Sequence, residues 1–112
     1  MGNPNKAKGD RAEREAATLL STLLNRTIRR KLGAGRQDDT GDLDGPPNWT
    51  IQVKHRRDIA RTIREGMPQL EQQRINNKTD NSAMMLRQHG GGWIVVITAE
   101  QLATLINNQR EK

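Results

Sequence analysis

The chain has 112 residues, of which 32% are hydrophobic and 2% aromatic, with a net charge of +6, so it can fold as one domain around a thin core of Leu, Ile, Val, Met and two tryptophans. The absence of cysteine excludes disulfides, a thiol nucleophile and a zinc–thiolate site. No apolar run reaches membrane-spanning length and no signal-peptide h-region opens the chain, which leads to the expectation of a soluble cytoplasmic protein with no membrane partner.

The expected domain covers residues 1–112, with 1–7 flexible, and a core this small gains from oligomerisation, so a homodimer is expected. Charge is unevenly spread. Residues 1–36 carry net +6, residues 37–52 net −4 with four Asp and no base, and residues 53–112 net +4. An acidic island between basic flanks fits a carboxylate site set in a surface that grips a polyanion. Solubility alone is the plainer alternative.

In chain order, Ala12, Ala16, Leu19, Leu20, Leu23 and Leu24 recur at helical spacing and predict an amphipathic helix from about Asp10 to Asn25. Asp10-x-x-Glu13 has the form of a capping box at its start. Arg26 to Leu32 reads as a strand, with Ile28 and Leu32 on one face and Arg29 and Lys31 on the other, ended by Gly33-Ala34-Gly35. Arg36 to Thr40 is a polar loop in which Asp38 and Asp39 have no apolar anchor.

The stretch from Gly41 to Lys54 carries the densest chemistry. Asp44-Gly45-Pro46-Pro47-Asn48 is turn sequence, so Leu43 and the Trp49 strand should form a hairpin. Period-two alternation puts Trp49, Ile51 and Val53 on one face and Thr50, Gln52 and Lys54 on the other. If the hairpin closes, Asp42 approaches the polar face and brings a carboxylate, an amide oxygen and an ammonium around one point, a set suited to a hard divalent cation. Asp44 is an alternative acid, and a solvated edge hairpin is the alternative reading of the whole.

His55-Arg56-Arg57 continues the strand towards solvent or a polyanion. Asp58 caps a helix bearing Ile59, Ile63 and Met67, interrupted at Gly66 and Pro68; a second segment, Pro68 to Asn76, is anchored by Leu70 and Ile75 and carries Gln69, Gln72 and Gln73. After a polar linker, Ala83–Leu86 and Trp93–Thr98 read as strands, the latter fully buried, and Thr98-x-x-Gln101 caps a final helix with Ala99, Leu102, Leu105 and Ile106.

Asp42, a turn, then Gln52-x-Lys54 resembles the PD-(D/E)XK nuclease superfamily. Lys8-Gly9 followed by Glu13-Arg14-Glu15 resembles the first helix of archaeal-type Holliday junction resolvases, and the Gly92-Trp93 strand, Thr98 and last helix are similar to the ending of small phage resolvase-like nucleases of actinobacteria. The resemblance implies an α/β fold with a restriction-endonuclease-like core, a mixed central sheet of about five strands flanked by helices in the order αβββαββα. It implies Mg²⁺, with Mn²⁺ as a substitute, held by Asp42, the Gln52 side-chain oxygen, the Val53 carbonyl and Glu13, with Lys54 positioning the attacking water. Arg30, or Arg29 or Lys31 in a shifted register, would meet the DNA backbone, as would Arg36, Arg56 and Arg57.

The implied activity is structure-selective DNA cleavage at a four-way junction by a homodimer, in the cytoplasm of a bacterial host if the chain is phage-encoded. Gln52 departs from the resolvases, which carry Glu there. Two alternatives remain: a restriction- or recombination-type nuclease acting on duplex, flap or single-stranded DNA, and a non-catalytic DNA-binding module.

Overall fold

A computed structural model describes residues 4–32 and 39–110. The expected Gly33-Ala34-Gly35 break, Arg36 and Asp38 lie outside the described residues. The first helix, α1, runs Pro4–Leu24 and is followed by β1 (Arg29–Arg30), β2 (Leu43–Asp44), β3 (Trp49–Lys54), α2 (Ile59–Asn77), β4 (Asn81–Arg87), β5 (Trp93–Val96) and α3 (Ala99–Arg110). This is an α/β chain in the element order expected.

The strands divide into two ladders where a single sheet of five was expected. β3 pairs parallel with β4, which the α2 crossover permits, and β5 lies antiparallel on the far side of β4. β1 and β2, two residues each, form a separate antiparallel pair joined to β3 by one backbone bond, Asp42 N–H to the Ile51 carbonyl at 2.8 Å.

Helix α1 covers one face of this layer. Its Ala12, Ala16 and Ala17 are buried with Ile28, Leu43, Ile51, Val53, Ala83 and Met85, small side chains letting the helix approach the strands closely. Ser21 Oγ accepts the Ile28 N–H at 2.8 Å and donates to the Ala17 carbonyl at 2.7 Å, which ties the end of α1 to the entry of β1. Leu23 stays 69% exposed, so the predicted apolar stripe overshoots the surface that covers it. Leu32 is likewise exposed because β1 ends at Arg30.

Helix α2 covers the other face and is continuous through Pro68, against the predicted break. Asp58 Oδ1 accepts the Arg61 N–H at 3.0 Å, as a cap should. Pro68 removes only the bond to residue 64, on a side where Arg64 and Pro68 are both exposed and water can serve the freed carbonyl. The buried stripe is Thr62, Gly66, Leu70 and Gln73, whereas Ile59, Ile63 and Met67 are half-buried and Ile75 is exposed. Gly66 decides this choice. A Cβ there would come 2.4 Å from Met84 Cε and 3.2 Å from Gln52 Oε1, so α2 presses its bare backbone onto β3 and β4.

Two further expectations are corrected at the C-terminal end. β5 is an edge strand, so Ile94 and Val95 are exposed, not fully buried. Thr98 Oγ1 accepts the Gln101 N–H at 3.0 Å, but the Gln101 side chain does not return to the cap. It reaches β4, where Oε1 accepts the Ser82 N–H at 2.8 Å and Nε2 donates to Asn81 Oδ1 at 2.9 Å. Among the described residues no helix is long and apolar enough to cross a membrane.

Candidate functional site

The backbone of Gly41 sets the position of Asp42. Its φ of +95° is open to glycine, and a Cβ would meet Thr50 Cγ2 at 3.0 Å and the Ile51 carbonyl oxygen at 3.1 Å. Held this close to β3, Asp42 Oδ2 accepts the Val53 N–H at 2.7 Å. Gly41→Ala should therefore cost about 1–3 kcal/mol through strain and crowding. A denaturation midpoint equal to that of the parent protein would refute this account of the turn.

Burial is the main influence on Asp42. Loss of water pushes its carboxyl from 3.8 up to about 6, and the nearby negative charge of Glu13 adds to the rise; the Val53 N–H and the Lys54 ammonium act in the opposite direction. Lys54, half-buried, is pushed down, first by desolvation and then by Arg56, with Asp42, Asp39 and Glu13 opposing. Asp42, Glu13, Val53 and Lys54 line one cleft with Lys8, Gly9, His55, Arg56 and Arg57. His55 is half-buried on this wall, and burial lowers its pKa.

Gln52 is fully buried and shares a partner with Lys54: Gln69 Oε1 accepts from Gln52 Nε2 at 3.2 Å and from Lys54 Nζ at 3.3 Å. Both side chains thus lie on the α2 side of β3, as the alternation predicts. Gln52 Oε1 has no hydrogen-bond donor, an uncompensated oxygen inside the protein. Gln73 Oε1 is the other such oxygen on α2.

Asp39 was passed over in sequence and is well anchored. Its carboxylate accepts from Gln73 Nε2 at 2.7 Å, Gln69 Nε2 at 3.4 Å and the Gly41 N–H at 3.1 Å, while Asn76 Nδ2 donates to its carbonyl at 2.9 Å. Asp39, Gln69, Gln52 and Lys54 form one connected chain of polar contacts. The spacing Gln69, Gln73, Asn76 puts three amides on one helical face, and that is the signal that points to Asp39.

The acids and bases of the N-terminal half fall differently from expectation. Because α1 begins at Pro4, Asp10 and Glu13 are not at its start and form no capping box. Both bind Arg30, whose Nη2 lies 3.0 Å from Asp10 Oδ1 and whose Nε lies 3.2 Å from Glu13 Oε1. Arg30 is thus paired with acids of α1 while also lining an open groove with Arg29 and Lys31. Lys31 Nζ donates to the Thr40 carbonyl at 2.8 Å, Thr40 Oγ1 at 2.9 Å and Asn77 Oδ1 at 3.1 Å, tying the loop to α2. Arg29, Arg56 and Arg57 are exposed. Asp44 is exposed and lines an open groove with Arg26, Arg29 and Lys31, apart from the Asp42 cleft.

Among the described residues no three His, Asp or Glu side chains converge as a metal-ligand group. The set that does gather in one cleft is Asp42, Glu13 and Lys54; the buried Gln52 amide is not part of that lining and connects to it through Gln69 and Lys54. No family model, curated protein or solved structure matches this chain.

Proposed function

We propose that the protein is a Mg²⁺-dependent DNA endonuclease with a restriction-endonuclease-like core, acting on branched DNA as a Holliday junction resolvase. The observation that carries this reading is the Asp42 carboxylate fixed on the Val53 N–H at 2.7 Å, one residue from Lys54 and in one cleft with Glu13. The parallel β3–β4 pair across α2, with the acid-bearing segment hydrogen-bonded to β3 through Asp42, supports the fold assignment.

The donor set fits a divalent cation. A desolvated carboxylate beside a second acid and a buried oxygen without a donor are both relieved by a hard positive ion. Asp42, Gln52 Oε1, the Val53 carbonyl and Glu13, directly or through water, would hold Mg²⁺ or Mn²⁺. Bound there, the ion supplies charge stabilisation to a phosphodiester and a nucleophile at neutral pH.

The chain's own groups do the rest. Lys54 directs a proton of its ammonium to the attacking water or to the charge developing on phosphorus, and Gln69 holds its Nζ in place. Arg56 and Arg57, at the mouth of the cleft, bind backbone phosphates without reading bases. Hydrolysis leaves 5′-phosphate and 3′-hydroxyl ends.

Gln52 in place of an acid removes one negative charge from the ligand set. Gln52→Glu is expected to tighten Mg²⁺ binding several-fold and to narrow any preference for Mn²⁺, as read by calorimetry; equal affinity in the two proteins would count against Gln52 as a ligand. The same residue favours the second reading, a DNA-binding module without catalysis, since its side chain does not line the Asp42 cleft and a neutral amide is a weaker ligand for a hard cation than a carboxylate. A cleavage assay on four-way junction, flap, single-stranded and linear duplex substrates with and without Mg²⁺ separates the readings. Paired symmetric nicks only at the junction support a resolvase, cleavage of all substrates a broader nuclease, and binding without any cleavage the non-catalytic module.

A further inference from the structure

We propose that α3, together with the adjoining edge strand β5, is the surface through which two copies of this chain associate. Among the described side chains of α3, from Ala99 to Gln109, Gln101 alone is buried. Leu102, Leu105 and Ile106, spaced to share one helical face, are 50%, 37% and 46% exposed and line a shallow groove on the helix itself. A helix this short is marginal in water without packing. Among the described residues, hydrogen bonds that hold it are the pair from Gln101 to β4 and the Thr98 cap.

The chemistry of the face selects its occupant. From Trp93 to Gln109 the only charged residue is Glu100, whereas the whole chain carries +6. Two like-charged copies therefore meet here with the least repulsion. A membrane-surface helix would carry several Lys or Arg along its polar side, whereas α3 has Glu100, Thr104, Asn107 and Asn108 and a single base, Arg110, at its last position.

Area points to β5 as part of the contact. A helix of this length is about 18 Å long and about 10 Å across. One copy laid along another covers a footprint of roughly 180 Å² on each, well short of the ~1,000 Å² in total at which specific interfaces begin. β5 runs into α3 through Ile97 and Thr98 and leaves Ile94 and Val95 exposed, 36% and 56%, so it extends the apolar contact beyond the helix.

The test is sedimentation equilibrium of the full chain without DNA or metal, so that its outcome is independent of the nuclease reading. The parent protein should be dimeric, Leu105→Glu monomeric, and Leu23→Glu, which alters an exposed leucine of α1, dimeric. A monomeric parent protein at every concentration overturns the proposal, as does a dimer that survives Leu105→Glu or is lost in Leu23→Glu. Because the chain has no cysteine, a spin label on Asn108→Cys provides a second measurement that needs no disruptive variant. Inter-copy dipolar coupling that disappears on dilution with unlabelled chain supports the contact, and no coupling at a concentration where the protein is dimeric places the interface elsewhere and rejects it.

Discussion

Asp42→Asn is expected to abolish Mg²⁺-dependent cleavage and, at neutral pH without metal, to make the protein more stable than its parent. The sign follows from the direction of the shift. A carboxyl whose pKa rises from 3.8 unfolded to about 6 folded contributes to stability when protonated; that contribution is complete below pH 3.8 and is lost as pH rises through about 6. Above that range the ionised Asp42 costs the fold on the order of 3 kcal/mol relative to the same group in water. Asparagine keeps an oxygen for the Val53 N–H and carries no charge.

Thermal unfolding in chelator should show the variant melting roughly 10–15 °C higher at pH 7, with the two curves converging in acid. Added Mg²⁺ should raise the midpoint of the parent protein and leave the variant unmoved. Equal midpoints at pH 7 would mean that Asp42 is better solvated than its place behind Gly41 implies. A variant that still responds to Mg²⁺ would place the ion away from Asp42.

Lys54→Ala is expected to lower cleavage by roughly 10²–10³-fold, the loss that follows removal of one aimed donor from a charge-stabilising site. Binding of branched DNA should fall only slightly, because Arg56, Arg57 and Arg29 remain as exposed phosphate contacts. The comparison of cleavage with binding is what separates chemistry from affinity. Cleavage unchanged in the variant, or a loss of binding as large as the loss of cleavage, would remove Lys54 from the reaction. Metal affinity should rise, since the lysine competes with the cation for the same negative field.

Much of this site was legible because strand chemistry is local. Alternation along Trp49 to Lys54 put Gln52 and Lys54 on one side before any fold was known, and Gly45 and Asn48 marked the turn, where both have positive φ. Asp58 and Thr98 announced their helices through capping, a contact made within three residues. Other expectations failed where partners come from far along the chain. Asp39 looked unanchored because its amides lie on α2, thirty or more residues away, and the pairing of Arg30 with Asp10 and Glu13 spans twenty and seventeen residues, beyond the reach of local periodicity.

The sequence by itself determined the order of elements, the strand faces and the identity of the polar residues around Lys54, since periodicity and turn chemistry act over a few residues. Only the tertiary structure decided which of those residues are buried and what they touch: that Gly66 brings α2 close enough to enclose Gln52, that Gly41 seats Asp42 on β3, and that α3 is left uncovered. Burial and charge depend on which segments pack together, and desolvation, which gives Asp42 its raised pKa, exists only once α1, the β2 segment and β3 have closed around it.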